Sequence, residues 1–132
     1  MRAFEDFKVG DIAEFGPLAV TAADVKSFAA RFDPQPMHLD EAAAQNTVVG
    51  GLFASGLHTV CMLMRLLTDC FLRDSTFMGS PGVEEVRYLA PVRAGDRLTL
   101  RVECSACGRP TAAPRWGWSI SAATWSMPTA SL

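Results

Sequence analysis

The stretch ASGLHTVCMLMRLLTDCFLR, residues 54–73, constrains the fold more than any other part of the chain. Val60, Met64, Leu67 and Phe71 form one apolar stripe at helical spacing. Cys61, Met62, Leu63 and Leu66 widen it nearly around the axis, the pattern of a helix buried on most sides. About twenty such residues would also suffice to cross a bilayer. Here His58, Arg65, Asp69 and Arg73 recur along the run, and a charge at mid-bilayer is costly. The run therefore predicts a central helix of a soluble domain.

At 132 residues the chain reads as one domain, spanning 1–132, with room for a core that needs no metal or disulfide. A hydrophobic content of 49% and a net charge of −2 give no reason to propose nucleic acid or an anionic membrane as partner. The first residues, MRAFEDFKVGD, lack the apolar segment of a signal peptide. Four cysteines without extracellular cues predict free thiols in a reducing cytoplasm. Cys61 and Cys70, about 13 Å apart along a helix, cannot pair. Cys104-Ser-Ala-Cys107 is a lone CxxC with no second ligand pair, so no metal is expected.

Before the long helix, residues 12–15 predict a short strand ended by Gly16-Pro17. Thr21 and Asp24 have capping-box spacing, and Val25, Phe28, Ala29 and Phe32 then mark one face of a helix. A second short helix is expected over about 40–45. Beyond the long helix, residues 83–89 and 97–102 alternate as strands, joined by the turn Pro91-Val-Arg-Ala-Gly-Asp96.

The chemistry concentrates in FDPQPMHLDEAAAQNTVVGGLFASGLH, residues 32–58, which contains both histidines of the chain. Pro34 and Pro36 cannot continue a helix, so Asp33 and His38 are expected at the two ends of a stiff, exposed turn. Imidazole is the side chain suited to proton transfer near neutrality, and a carboxylate can orient it together with a water. Gly50 and Gly51 allow close backbone approach, and the positive end of the long helix follows. By default Ser55 is an N-cap and His58 a structural residue.

Three motifs carry a resemblance. FDPQPMHLD, GGLFASGLHT and EEVRYLAPVRAGDRLTLRVE, in that order over about residues 4–103, resemble the bacterial MaoC-like dehydratases and (R)-specific enoyl-CoA hydratases. The resemblance implies an α+β hot-dog fold: a curled antiparallel sheet around one long helix, here 54–73, in a homodimer. It implies water addition to a trans-2-enoyl-CoA, or the reverse dehydration of a 3-hydroxyacyl-CoA. Asp33 and His38 would be the catalytic pair. Gly51, Ser55 and Gly56 would bind the substrate and its oxyanion. The coenzyme A thioester would be the substrate, with no further cofactor. Gln35 departs from the asparagine that many hydratases carry. A hot-dog thioesterase and a non-catalytic acyl-CoA-binding module are the alternatives; for the former, Asp69 and Glu84 are poor matches to a helix-borne catalytic carboxylate.

After Glu103 the family pattern stops, and CSACGRPTAAPRWGWSISAATWSMPTASL offers at most one strand, within 116–127. Back-translated and read one frame away, Trp116-Gly-Trp-Ser-Ile120 permits Gly-x-Val-Asp, and Trp125-Ser-Met-Pro-Thr-Ala130 permits Val-Asp-Ala-Asp-Gly. Asp-Gly is a strong hairpin signal. The tail, 104–132, is therefore expected to be frame-shifted text beginning near residues 103–107, with the last strands of the fold missing or altered.

Overall fold

The computed structural model describes residues 1, 3, 6–80 and 82–104, and the backbone of 123–126. In chain order these form β1 (Ile12–Ala19), α1 (Ala22–Phe32), α2 (Pro36–Leu39), α3 (Glu41–Gln45), α4 (Gly56–Cys70), β2 (Arg97–Glu103) and β3 (Ala123–Ser126). A single 3-10 turn, Leu72–Asp74, follows α4.

The described strands make one antiparallel sheet in the order β1-β2-β3. In β2, Leu98, Leu100 and Val102 are buried while Arg97 and Arg101 face solvent, the period of two that a half-covered sheet imposes. α4 supplies the cover. Its Leu66 and Leu67, with Phe71 just past its end, pack on Leu100, Val102, Phe15 and Phe7. The Phe71 ring meets Phe7 at 5.2 Å and Phe15 at 6.1 Å between centroids. Burying each such side chain contributes about 1.5–3 kcal/mol, so this contact decides how helix and sheet dock. Val20, Val25, Ala44, Leu52, Ala54, Met62, Val92 and Leu98 form the second cluster, which holds α1 and α3 against the start of α4.

The α+β architecture of one long helix on an antiparallel sheet agrees with the sequence reading; several details differ. β1 does not stop at Gly16-Pro17. It continues to Ala19 by a bulge, with Phe15 opposite Leu100 and Leu18 opposite Leu98. Gly16 sits at φ +128 where a Cβ would lie 2.8 Å from the Leu98 carbonyl oxygen, so no larger residue fits that bulge. α4 is not enclosed on most sides: Leu57 is 59% and Met64 50% exposed, because one sheet face covers only one side of a helix. Residues 83–89 form no strand. They make no ladder with any described strand, and Val83 and Leu89 are exposed.

The double-proline segment is not an exposed turn throughout. Pro36 opens the one-turn helix α2, and His38 is buried. Of the tail, Ala123–Ser126 is the strand expected within 116–127. Apart from Cys104 and Ala123–Ser126, the tail, Cys107 included, lies outside the described residues. Among the described residues no helix is long and apolar enough to cross a membrane.

Candidate active site

α1 begins at Thr21, whose hydroxyl accepts from the Asp24 amide at 3.0 Å, as the capping-box spacing predicts. It ends at Asp33, whose amide still donates to the Ala29 carbonyl while its own φ of −154 leaves the helix. Pro34 forces that exit, since the residue before a proline is driven from helical to extended geometry. Pro36 then starts α2, and one turn carries the His38 ring back under the chain. Two prolines two residues apart thus set the distance between carboxylate and imidazole.

His38 Nδ1 lies 2.9 Å from the Phe53 carbonyl oxygen. A carbonyl only accepts, so Nδ1 carries the proton and Nε2 presents a lone pair. That Nε2 stands 3.7 Å from Asp33 Oδ2, longer than a hydrogen bond and short enough for both groups to hold one water. Both Asp33 oxygens have further donors: Ser55 Oγ to Oδ2 at 2.6 Å and Gln35 Nε2 to Oδ1 at 2.7 Å. The Ser55 hydroxyl above all, then the Gln35 amide, hold the Asp33 carboxyl below its usual range; partial burial opposes them, and His38 adds a smaller electrostatic pull downward. The carboxylate is ionised and fixed in orientation.

Ser55 occupies the N-cap position of α4 but makes no capping bond. Its hydroxyl is turned toward Asp33, to which it donates, and the first-turn amides of the 15-residue helix have no side-chain cap. The positive end of α4 is thereby placed beside the carboxylate–imidazole pair.

The segment leading into α4 is held by the Pro91–Asp96 turn. The Ala54 amide donates to the Val92 carbonyl at 2.8 Å, and Phe53 bridges Arg93. Asp96 accepts from the Arg93 amide at 2.8 Å and from the Val20 amide, through its carbonyl, at 2.9 Å. This turn therefore locks the Phe53 carbonyl, and with it the His38 tautomer, to the end of β1. Arg93 also donates to the Val49 carbonyl and closes the glycine turn, where a Cβ on Gly51 would come within 3.3 Å of its guanidinium. At Gly56 a Cβ would lie 2.7 Å from the ring of the exposed Tyr88, so a larger residue there would have to push that ring aside.

Of the residues singled out in the sequence, Asp33, His38 and Ser55 are brought into one cluster, with Gly56 next in the chain. Gly51 lies on the turn under Arg93, two residues before the carbonyl that orients His38. Sequence reasoning missed the Phe53 carbonyl, Arg93 and Tyr88. A backbone acceptor leaves no side-chain signal, and the contact of Tyr88 with Gly56 joins positions far apart in the chain. His58 is buried with its ring stacked on Phe28 at 4.5 Å. Its Nδ1 has no hydrogen-bond partner.

The model of the MaoC like domain matches residues 7–113, past the point where the motifs stop being recognisable. The chain belongs to the MaoC-like dehydratase family. It is 35% identical to the structure of the MaoC-like dehydratase from Rhodospirillum rubrum, with a TM-score of 0.75 over 92% of this chain and 84% of that one. The (R)-specific enoyl-CoA hydratase of Rhodospirillum rubrum is 29% identical over 77% of this chain and 69% of its own length. The structure of the (R)-hydratase from A. caviae aligns with a TM-score of 0.60 at 28% identity, covering 77% of this chain and 75% of that one. In this MaoC-like domain Asp33, His38 and Ser55 meet beside the start of α4.

Proposed function

We propose that this MaoC-like chain is a hydro-lyase of the (R)-specific enoyl-CoA hydratase type, acting on a trans-2-enoyl-CoA or, in reverse, on a 3-hydroxyacyl-CoA. The observation that carries this reading is the 3.7 Å gap between an unprotonated His38 Nε2 and Asp33 Oδ2. A water held by both loses a proton to Nε2 as its oxygen bonds to the β-carbon of the thioester. The π-electrons move toward the thioester oxygen, and the proton taken by His38 is returned to the α-carbon. Both elements of water thus come from one molecule on one face. The enolate-like oxygen is stabilised by uncapped amides at the start of α4, with the Gly51 turn alongside; one such donor is worth about 10²–10³ in rate in acyl-transfer enzymes. No cofactor is required, since the thioester itself activates the double bond.

The names carried by the relatives support hydration over hydrolysis. So does the placement of Asp69, which forms ion pairs with Arg65 and Arg73 on the exposed side of α4, away from Asp33. The protein is proposed to act in the cytoplasm as a homodimer, a second copy covering the exposed apolar side chains of α4 and of residues 83–89. Incubation with crotonyl-CoA tests the activity. Loss of enoyl absorbance supports the hydratase. Release of free thiol would make it a thioesterase, and neither change would leave an acyl-CoA-binding module.

A further inference from the structure

Phe53 lies between Leu52 and Ala54, both part of the cluster that holds α1 and α3 against the start of α4. Its own ring joins neither hydrophobic cluster of the described residues. The backbone is pinned on both sides of it: the Ala54 amide donates to the Val92 carbonyl at 2.8 Å, and the Ala94 amide to the Leu52 carbonyl at 3.4 Å. Successive side chains of an extended segment point to opposite sides, so burying Leu52 and Ala54 turns Phe53 the other way. There its half-buried ring meets His38 in a T-shaped contact, with centroids 4.8 Å apart and planes at 79°. That is a favoured geometry for two aromatic rings.

One residue thus touches His38 twice, and the two contacts restrain different things. The hydrogen bond from Nδ1 to the Phe53 carbonyl fixes where Nδ1 sits, but such a bond tolerates tilts of about 30°. The last torsion of a histidine side chain is itself broad. A perpendicular ring opposes that rotation. The lone pair of Nε2 lies in the imidazole plane, so its direction toward Asp33 Oδ2, 3.7 Å away, follows from how the plane is held. We infer that Phe53 is a positioning residue for the reaction. Its carbonyl selects the nitrogen that carries the proton, and its ring holds the plane in which the other nitrogen addresses the water shared with Asp33. The use of that lone pair rests on the hydratase reading; the restraint on the imidazole rests on the two contacts alone.

Carbon-13 relaxation of the His38 ring, assigned by its loss in His38→Asn, reads the restraint without turnover. In the parent the ring C–H bonds should be as ordered as rigid backbone, with an order parameter of about 0.85. Phe53→Leu and Phe53→Met each keep the carbonyl. In both, the Cδ2 shift that reports the tautomer should stay parental while ring order drops below about 0.6. Hydration of crotonyl-CoA by the same variants should lose at least about fivefold in kcat, with KM changed by less than about twofold. Phe53→Tyr, which keeps an aromatic ring, should recover the order and most of kcat. A His38 ring already mobile in the parent, full ring order in the folded leucine or methionine variant, or a loss confined to KM would overturn the inference. Loss of ring order in a chain that leaves crotonyl-CoA unhydrated would keep the restraint and remove the hydratase reading.

Discussion

His38 Nδ1 donates to the Phe53 carbonyl while Nε2 faces Asp33 Oδ2 at 3.7 Å, so one backbone acceptor decides which imidazole nitrogen is free to take a proton. That arrangement makes the roles of the pair separable by substitution.

Asp33→Asn and His38→Asn should each lower crotonyl-CoA hydration by at least about 10²-fold, the low end of general acid–base contributions. In His38→Asn the amide nitrogen can still donate to Phe53, so urea unfolding should change little. His38→Ala is different, because it strands a carbonyl beside a buried void; it should also cost about 1–3 kcal/mol. A variant of either residue with near-parental turnover would remove the pair from the mechanism.

Ser55→Ala takes away the foremost group holding Asp33 ionised. The Asp33 carboxyl should then titrate at higher pH, nearer the ordinary carboxylate range, as read from its side-chain carboxyl NMR shift. The same shift has a stability consequence. Because its folded value lies below its unfolded one, Asp33 stabilises the parent above the ordinary carboxylate range, and this is lost as pH falls through the folded value. The loss should be smaller in Ser55→Ala, measured by urea midpoints from neutral to acid pH.

Gly56→Ala places a methyl group 2.7 Å from the Tyr88 ring. Tyr88 is 56% exposed, and its ring must swing toward solvent to make room. The cost should sit at the low end of overpacking, about 1 kcal/mol, with a matching modest loss of turnover. Adding Tyr88→Ala should recover part of both. Additive losses in the double variant would show that the contact is not what makes alanine harmful.

His58 titrates below the ordinary imidazole value, chiefly through burial, with Asp24 opposing. A histidine held neutral in the fold destabilises it wherever only the unfolded chain is protonated. Stability should therefore fall as pH drops below about 6.5 toward the depressed folded value. His58→Phe should lose that component and be more stable by about 1 kcal/mol at neutral pH, since no buried atom is left unpaired. Thermal melts of both proteins between neutral pH and pH 5 give the comparison.

Resequencing of the gene should show that a single-base correction near codons 103–107 opens a longer frame carrying alternating strands and an Asp-Gly turn. A window with no such frame would mean that the composition of the tail is the chain's own.

The sequence by itself determined the parts that rest on local rules. Thr21 caps α1 because a hydroxyl three residues before an amide can reach it. Prolines 34 and 36 end that helix and space Asp33 from His38, and alternation in β2 marks its buried face. Motif order was enough to point to the family. Tertiary structure decided what depends on distant partners. His38 is buried and its tautomer set because residue 53 arrives from fifteen positions away. Ser55 makes no capping bond because its hydroxyl is turned to donate to the charged Asp33 carboxylate, a partner that arrives from twenty-two positions away. Residues 83–89 alternate like a strand yet are not one. Alternation reports which side chains prefer burial, whereas a strand exists only where another backbone pairs with it.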